Sequence, residues 1–157
     1  DNGDGTASLT GTPNNTDVGD HDVTLRVTDL GSLFDTQDFT ITVTNVNAPP
    51  EFTSTPVTDA TQDVAYTYSI TATDPDLIHG DLLTITSETK PPWLGFTDNG
   101  DGTATLTGTP TSTDLGDHPV VLRVTDLAGL FDTQNFTITV DAVAKQDFYQ
   151  YLPLFMR

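Results

Sequence analysis

Apolar and polar residues alternate along most of this chain, the pattern of strands with one buried and one wet face. In residues 64–73, Tyr66, Tyr68 and Ile70 share one face, and Val120 and Leu122 do so in residues 118–126. Further strands are predicted at 51–54, 82–86, 90–96, 103–109 and 131–140, with turn residues between them. Seven short strands in succession, without an amphipathic helix, predict an all-β fold of the β-sandwich type.

The chain carries the last three of these strands nearly twice. Residues 1–43 match residues 98–140 at a constant offset of 97 residues, without a gap, and 34 of the 43 positions are identical. A period of that length is too long for a solenoid turn and suits one small β-sandwich module. The chain is therefore predicted to hold one complete module and the C-terminal half of a preceding one.

The few differences between the copies support this assignment of strand faces. Thr24 stands where the second copy has Val121, and Ser8 stands where it has Thr105. Alternation places these positions on the outer face, where a polar residue costs little. The repeat thus predicts strands at 6–12, 21–29 and 34–43 in the first copy as well.

These patterns divide the chain into three parts. Residues 1–47 form the half-module, residues 48–143 the complete module, with a Pro-containing linker at 44–50, and residues 144–157 an apolar tail. The tail is too short to span a bilayer, and so apolar a segment is expected to dock on a partner. Its candidate partner-binding residues are Phe148, Tyr149, Tyr151, Leu152, Leu154 and Phe155.

The half-module lacks the strands that would face its own apolar stripe. Leu9, Leu25 and Ile41 belong to that stripe, and the segments that precede residue 98 in the complete module have no counterpart before Asp1. A small sheet with open edges is marginal alone and is a template for pairing. Residues 1–47 are therefore expected to be disordered or to be completed by strands from another copy, or by the tail.

The amino-acid composition excludes several classes of partner and site. The formal charge is −18, which argues against nucleic acid and anionic membrane surfaces as partners. With no cysteine, disulfides, thiolate metal sites and cysteine nucleophiles are excluded. The acidic residues are mostly Asp, which serves tight turns and also binds calcium. Arg26 and Arg123 are expected to pair with carboxylates on the outer strand face.

No catalytic constellation is visible. The three histidines are His21, His79 and His118, and two of these are copies of one position. Neither a Ser-His-Asp arrangement nor a zinc motif can be assembled. Trp93, the only tryptophan, is expected in the core, the alternative being a platform on which a sugar ring stacks. We therefore expect a protein that is not an enzyme.

Two acidic segments are candidates for calcium. Asp74 and Asp76 lie two residues apart in a Pro-containing turn, where their carboxylates could converge on one cation or remain a solvated turn. Residues 98–102, DNGDG, lack the later acidic ligands of an EF-hand loop. A hairpin turn rich in Asn and Gly explains that segment.

Three phrases in the second half resemble a known family. WLGF at 93–96, LTGTP at 106–110 and LRVTD at 122–126 follow one another as in bacterial putative immunoglobulin-like (Ig-like) modules, which are close to dystroglycan-type cadherin-like domains. The resemblance covers the chain except its tail. It implies a seven-stranded Ig-like or cadherin-like sandwich repeated in tandem in large secreted or cell-surface proteins, here bacterial.

The resemblance also implies a calcium site. Asp74 and Asp76 match the D-x-D element of cadherins, and Asp126 matches their later single Asp. The linker around Asn45 and Asn47 resembles the cadherin linker but lacks its acidic residues, so one ion rather than several is implied.

The predicted function is a non-catalytic adhesive or spacer module, rigidified by calcium. One alternative is a carbohydrate-binding accessory module of a secreted hydrolase, with polysaccharide as the partner. The other is a subunit of an extracellular fibre, in which copies of the chain complement each other through open strand edges.

Overall fold

The computed structural model describes residues 1–144, which form two units. The first contains Asp1–Ala48 and Pro75–Asp81, and the second contains Pro49–Asp74 and the chain from Leu82 onward. The tail residues from Phe148 to Phe155, for which partner binding is predicted, lie outside the described residues. Among the residues described, the structure contains no helix with the length and apolar character needed to cross a membrane.

The second unit is a β-sandwich of two four-stranded sheets. Its strands are β3 (Glu51–Phe52), β4 (Asp59–Thr61), β5 (Tyr66–Thr73), β6 (Thr84–Thr89), β7 (Leu94–Asp98), β8 (Thr103–Gly108), β9 (Gly116–Thr125) and β10 (Phe131–Asp141). One sheet has the order β4-β10-β9-β6 and the other β3-β5-β8-β7. All neighbours pair antiparallel except β4 and β10, which are parallel.

The core lies between these sheets because each strand turns alternate apolar residues inward. Leu106, Leu122 and Ile138 are fully buried, as the alternation predicts. Trp93, which is predicted to lie in the core, is only partly buried, as is Phe136, and both pack against the core from its margin. Their rings meet Tyr66 and Tyr68 edge-on, at centroid distances of 5.8 Å and 5.7 Å.

One strand of the sandwich, β4, is not predicted by the alternation of apolar and polar residues. β4 has only three residues, too few to alternate visibly, and it follows a proline that favours an edge position. It pairs in parallel with the end of β10, with Ala60 opposite Val140, and buries Ala60. The module therefore has eight strands where the sequence predicts seven. β6 also begins and ends later than the predicted strand at 82–86.

The first unit contains a two-stranded hairpin. β1 (Gly19–Thr28) and β2 (Phe34–Val43) pair antiparallel over their full length, with Val23 opposite Phe39. A short 3₁₀ turn, Asn15–Asp17, precedes β1, and a second, Pro75–His79, belongs to the same unit. The Asn15 side chain donates to the Pro75 carbonyl oxygen at 2.7 Å and so joins the two turns.

The strand predicted at 6–12 does not form. The same residues in the second copy are β8, which pairs with β5 on one side and β7 on the other. Residues 6–12 have no counterpart of either neighbour among the described residues of the first unit, and the structure gives them no regular element. A strand is held by its partners rather than by its own propensity, so an almost identical sequence stays irregular here.

The two copies thus place the same residues in different surroundings. Leu25 is 41% exposed and Val27 67%, whereas their counterparts Leu122 and Val124 are both 0% exposed. Leu9 is 61% exposed and its counterpart, Leu106, is fully buried. The apolar stripe of the hairpin is formed but not covered by the described chain.

Arg26 and Arg123 make the same contact in the two copies, and it is not the predicted pairing with a carboxylate. The Arg26 guanidinium stacks over the Phe34 ring at 3.9 Å, and Arg123 over Phe131 at 3.8 Å. Each arginine therefore shields a phenylalanine that is otherwise exposed at the hairpin end, and within residues 1–144 neither arginine pairs with a strand carboxylate.

Candidate functional site

Two carboxylates meet where β5 and β9 end. Asp74 directly follows β5 and Asp126 directly follows β9, which belong to different sheets. The two residues are 4% and 6% exposed, and one carboxylate oxygen of each lies within 4.8 Å of the other. The structure thus brings together two of the residues that are predicted as calcium ligands.

The turn after β9 holds Asp126 in place. Its Oδ1 accepts a hydrogen bond from the Leu130 amide at 2.8 Å, and its own amide donates to the Leu130 carbonyl at 3.0 Å. The side chain is thus fixed by the backbone of the loop between β9 and β10. The orientation of this carboxylate is therefore set by the backbone of the loop.

The donor set of this pair fits calcium. Calcium takes carboxylate and carbonyl oxygens at about 2.3–2.6 Å, so two oxygens on one ion lie at most about 5 Å apart. The Asp74 and Asp126 oxygens satisfy that limit. Two buried like charges also disfavour each other, and a shared cation would offset this repulsion.

The other predicted ligands belong to the first unit. Asp76 is buried, and its Oδ2 accepts a hydrogen bond from the Ala48 amide at 2.7 Å. It thereby holds the backbone of the linker in which Asn45 and Asn47 lie. Asn45 and Asp76 both line an open cavity of about 320 Å³ in this unit, and the Asn47 side chain donates to the Ala48 carbonyl at 3.4 Å.

The acidic turn at 98–102 makes the hydrogen bonds of a hairpin turn. Asp101 Oδ1 accepts from the Thr103 hydroxyl at 2.6 Å and from its amide at 3.0 Å, and these bonds lower the pKa of Asp101. Asp4 in the first copy makes the same two bonds to Thr6, which lower its pKa as well. The turn chemistry predicted for this segment is confirmed and does not depend on the rest of the module.

Trp93 offers little free ring for a sugar. Its ring meets Tyr66 edge-on and lies 6.0 Å from the His118 ring, while Gly108 approaches its backbone and its Cε3 atom. Its Nε1 is buried without a hydrogen-bond partner among the described residues. A sugar platform needs an open aromatic face, whereas the Trp93 indole packs against the margin of the core.

Family comparison assigns the complete module. The family described as Putative Ig domain matches residues 49–141, which is 93 of the 157 residues. The chain belongs to this family. Asp74, Asp126 and the whole sandwich lie within the Ig domain so matched, which confirms the family resemblance predicted from the WLGF, LTGTP and LRVTD phrases.

Solved structures with a similar fold come from three kinds of protein. An endo-fucoidan hydrolase of glycoside hydrolase family 107 is 28% identical, with a TM-score of 0.53, and the match covers 85% of this chain and 20% of that one. The SrpA adhesin of Streptococcus sanguinis is 16% identical, with a TM-score of 0.50, covering 62% of this chain and 59% of that one. The extracellular cadherin domains 1–5 of protocadherin gamma B2 are 14% identical, with a TM-score of 0.62, covering 82% and 26%.

These similarities confirm the β-sandwich fold of Ig-like and cadherin-like type. The Ig-like chain spans about a fifth of the length of the fucoidan hydrolase that it matches. No curated protein sequence matches it.

Proposed function

We propose that this chain is a non-catalytic adhesive or spacer segment of a large repeat protein at the cell surface or in secreted form. Residues 1–47 are the C-terminal half of one Ig-like module, residues 48–143 a complete module, and residues 144–157 an apolar tail. The observation that carries the proposal is the gapless repeat of 43 positions at an offset of 97 residues. Tandem repetition of a rigid sandwich makes a long stalk without needing a cleft or reactive groups.

Force spectroscopy tests the spacer role. The chain would be held through handles at residues 49 and 143, the ends of the complete module. A spacer that bears load should unfold in one cooperative step, because the sandwich shares a single core. Gradual extension without a discrete unfolding event would contradict this proposal.

We further propose that Asp74 and Asp126 bind calcium; Asp76, Asn45 and Asn47 are ligands predicted from the sequence alone. The supporting observation is the short separation of two buried carboxylates at the ends of β5 and β9. The ion would join the two sheets at this end of the sandwich and so stiffen the module. Asp81, half-buried at the end of the loop that follows Asp74, is a further acidic residue for mutagenesis.

Thermal unfolding in calcium and in EDTA tests this site. At a free calcium concentration 100 times Kd, binding to the folded state adds about 2.7 kcal/mol of stability. This corresponds to a rise in Tm of more than about 10 °C for a domain of this size. Asp126→Asn should remove the difference, whereas Asp101→Asn, in the exposed turn, should leave it intact. Identical Tm values in calcium and EDTA for the unmodified chain would contradict the site.

A carbohydrate-binding accessory role is the second candidate. It is favoured by the 28% identity to a fucoidan hydrolase over 85% of this chain. Affinity electrophoresis through gels containing fucoidan, with an uncharged polysaccharide as control, would detect such binding. Retardation by fucoidan that persists at high salt would favour the accessory role. Unchanged mobility would leave the adhesive or spacer proposal standing.

A further inference from the structure

The pentapeptide DNGDG occurs twice in the chain, at residues 1–5 and 98–102. Each copy contains an Asn followed by Gly, Asn2–Gly3 and Asn99–Gly100, and the sequence has no other Asn-Gly pair. Such a pair is prone to deamidation without an enzyme, because Gly has no Cβ to keep its backbone nitrogen away from the preceding side chain. Asn99 is exposed, so its side chain is open to water.

The reaction needs only the chain and water. The Gly100 nitrogen loses its proton to solvent and bonds to Cγ of Asn99, and the bond from Cγ to the side-chain nitrogen breaks. That nitrogen takes up a proton from solvent and leaves as ammonia, so that a cyclic succinimide remains. Water then opens the ring at one of its two carbonyls and leaves aspartate or isoaspartate at position 99. In isoaspartate the backbone runs through the side chain and is one methylene longer.

The folded turn occupies both reacting groups with other partners. The Asn99 side-chain amide donates to the Thr103 hydroxyl at 2.8 Å, and the Gly100 amide donates to Asp98 Oδ1 at 3.1 Å. The Asp98 carboxylate also disfavours loss of the Gly100 proton, since the resulting anion would lie beside a negative charge. These two hydrogen bonds must open before the ring can close.

The same local hydrogen bonds form in the first copy. The Asn2 side chain donates to the Thr6 hydroxyl at 2.8 Å, and the Gly3 amide donates to Asp1 Oδ1 at 2.9 Å. The two pentapeptides therefore have the same sequence and the same turn chemistry. Any difference in their reactivity reports on what surrounds the turn.

The surroundings hold only the second turn in place. The Gly102 carbonyl accepts from the Ala72 amide of β5 at 2.9 Å, and Asp98 Oδ2 accepts from the Ile85 amide of β6 at 3.2 Å. A Cβ added to Gly102 would lie 3.1 Å from the Ala72 carbonyl oxygen, whereas one added to Gly5 would have nothing within 4 Å. The turn at 98–102 is thus tied to both sheets of the sandwich, and it opens rarely unless the module opens.

We propose that Asn99 is a deamidation site that the folded module protects and that unfolding of the module opens to reaction. The isoaspartate product lengthens the turn between β7 and β8 by one methylene, although the strand register and the bond from Ala72 to Gly102 fit the shorter turn. A module that has stayed unfolded is therefore marked at Asn99 and refolds to a less stable state. This inference rests on the chemistry of the turn and not on the adhesive or spacer role.

Peptide mapping of the full chain by mass spectrometry tests the protection. In buffer at neutral pH, Asn2 should deamidate at least about ten times faster than Asn99, because only the second turn is held by the module. In guanidinium chloride above the unfolding midpoint, the two rates should become equal. Thr103→Val removes the hydroxyl acceptor and keeps a β-branched side chain. It should speed deamidation of Asn99 in buffer and leave the rate at Asn2 unchanged.

Refolding tests the effect on the module. Chains incubated in guanidinium chloride and then refolded should contain an isoaspartate fraction that unfolds at a lower urea concentration than untreated chains. The matched control is Asn99→Gln, whose longer side chain closes the ring far more slowly, and incubation should leave its urea midpoint unchanged. Asn99→Asp should keep the midpoint of the unmodified chain, since this substitution does not alter the backbone length.

The proposal is wrong if Asn99 reacts in buffer as fast as in guanidinium chloride, because the fold then gives no protection. It is equally wrong if Asn99 stays unmodified in guanidinium chloride, or if the isoaspartate fraction refolds with the midpoint of untreated chains. Equal rates at Asn2 and Asn99 in buffer would overturn the role assigned to the contacts with β5 and β6.

Discussion

Leu25 and Leu122 occupy the same position in two nearly identical sequences, and only one of them is in a core. Leu122 is fully buried beneath the facing sheet, whereas Leu25 remains 41% exposed on the hairpin. The difference arises from neighbours far along the chain, since the flanking residues are almost the same. Side-chain burial is the quantity that sets the cost of truncation.

Truncation of the two leucines should therefore have different costs. Leu122→Ala should lower the free energy of unfolding of the module by about 2–5 kcal/mol, because it leaves a cavity in a closed core. Leu25→Ala should change it by less than about 0.5 kcal/mol, as at other surface positions. Urea titration followed by Trp93 fluorescence reports on the module directly. Equal losses for both variants would contradict the structural difference between the copies.

Tyr66 gives the module a sensitivity to alkaline pH. Burial raises the pKa of its phenol well above the ordinary value, and the hydroxyl donates to the Val57 carbonyl at 2.7 Å. The folded state therefore keeps this proton where the unfolded chain releases it. Stability from Tyr66 is present in full below about pH 10, the unfolded value, and falls as the pH rises above it.

Tyr66→Phe should remove part of this alkaline loss. The comparison is the slope of the free energy of unfolding against pH above pH 10 in the two proteins, with tyrosinate absorbance recorded alongside. The same slope in both would mean that the Tyr66 proton is released as easily in the folded chain as in the unfolded one.

At the scale of elements, residues 6–12 and β8 have nearly the same sequence, but only β8 is a strand. Gly11 and Gly108 are equivalent positions in these two segments and can be compared as Leu25 and Leu122 were. A Cβ added to Gly108 would overlap the Trp93 carbonyl oxygen and lie 3.0 Å from the Trp93 Cε3 atom. The equivalent Gly11 has nothing within 4 Å of such a Cβ. Close packing of β8 against the turn before β7 explains the glycine in the second copy only.

Gly108→Ala should destabilise the module by about 1–3 kcal/mol, the usual cost of overpacking. Gly11→Ala should leave the same transition unchanged. Both can be followed in the urea titration used for the leucine pair. If Gly108→Ala does not lower the free energy of unfolding, the backbone of the turn at Trp93 can move aside for the added methyl group, and the predicted overpacking is wrong.

The sequence predicts a strand well where apolar and polar residues alternate over many positions. It predicts a strand poorly where pairing with strands distant in the chain decides whether the strand forms. The inward faces of β5, β9 and β10 follow from period-two patterns over eight or more residues. The three residues of β4 carry no such pattern, and parallel pairing with β10 is a tertiary event. Residues 6–12 carry the right pattern but lack partners, so the predicted strand is wrong.

At the scale of the molecule, sequence patterns also predict the candidate calcium site only in part. Asp74 and Asp126 are 52 residues apart, and only the family resemblance, not local spacing, predicts that they belong together. Chain geometry then brings the ends of β5 and β9 together. The hydrogen bond from Ala48 to Asp76 could not be read from the sequence, because it depends on the path of the linker.

The central claim is that the segment 6–12 and its copy 103–109 form a strand only where neighbouring strands pair with it. Hydrogen exchange measured by mass spectrometry on the full chain tests it, since residues 6–12 and 103–109 are nearly the same peptide in one molecule. The account predicts strong protection of the β8 amides, which pair on both sides, and fast exchange at 6–12. Equal protection of the two segments in the chain alone would contradict the account.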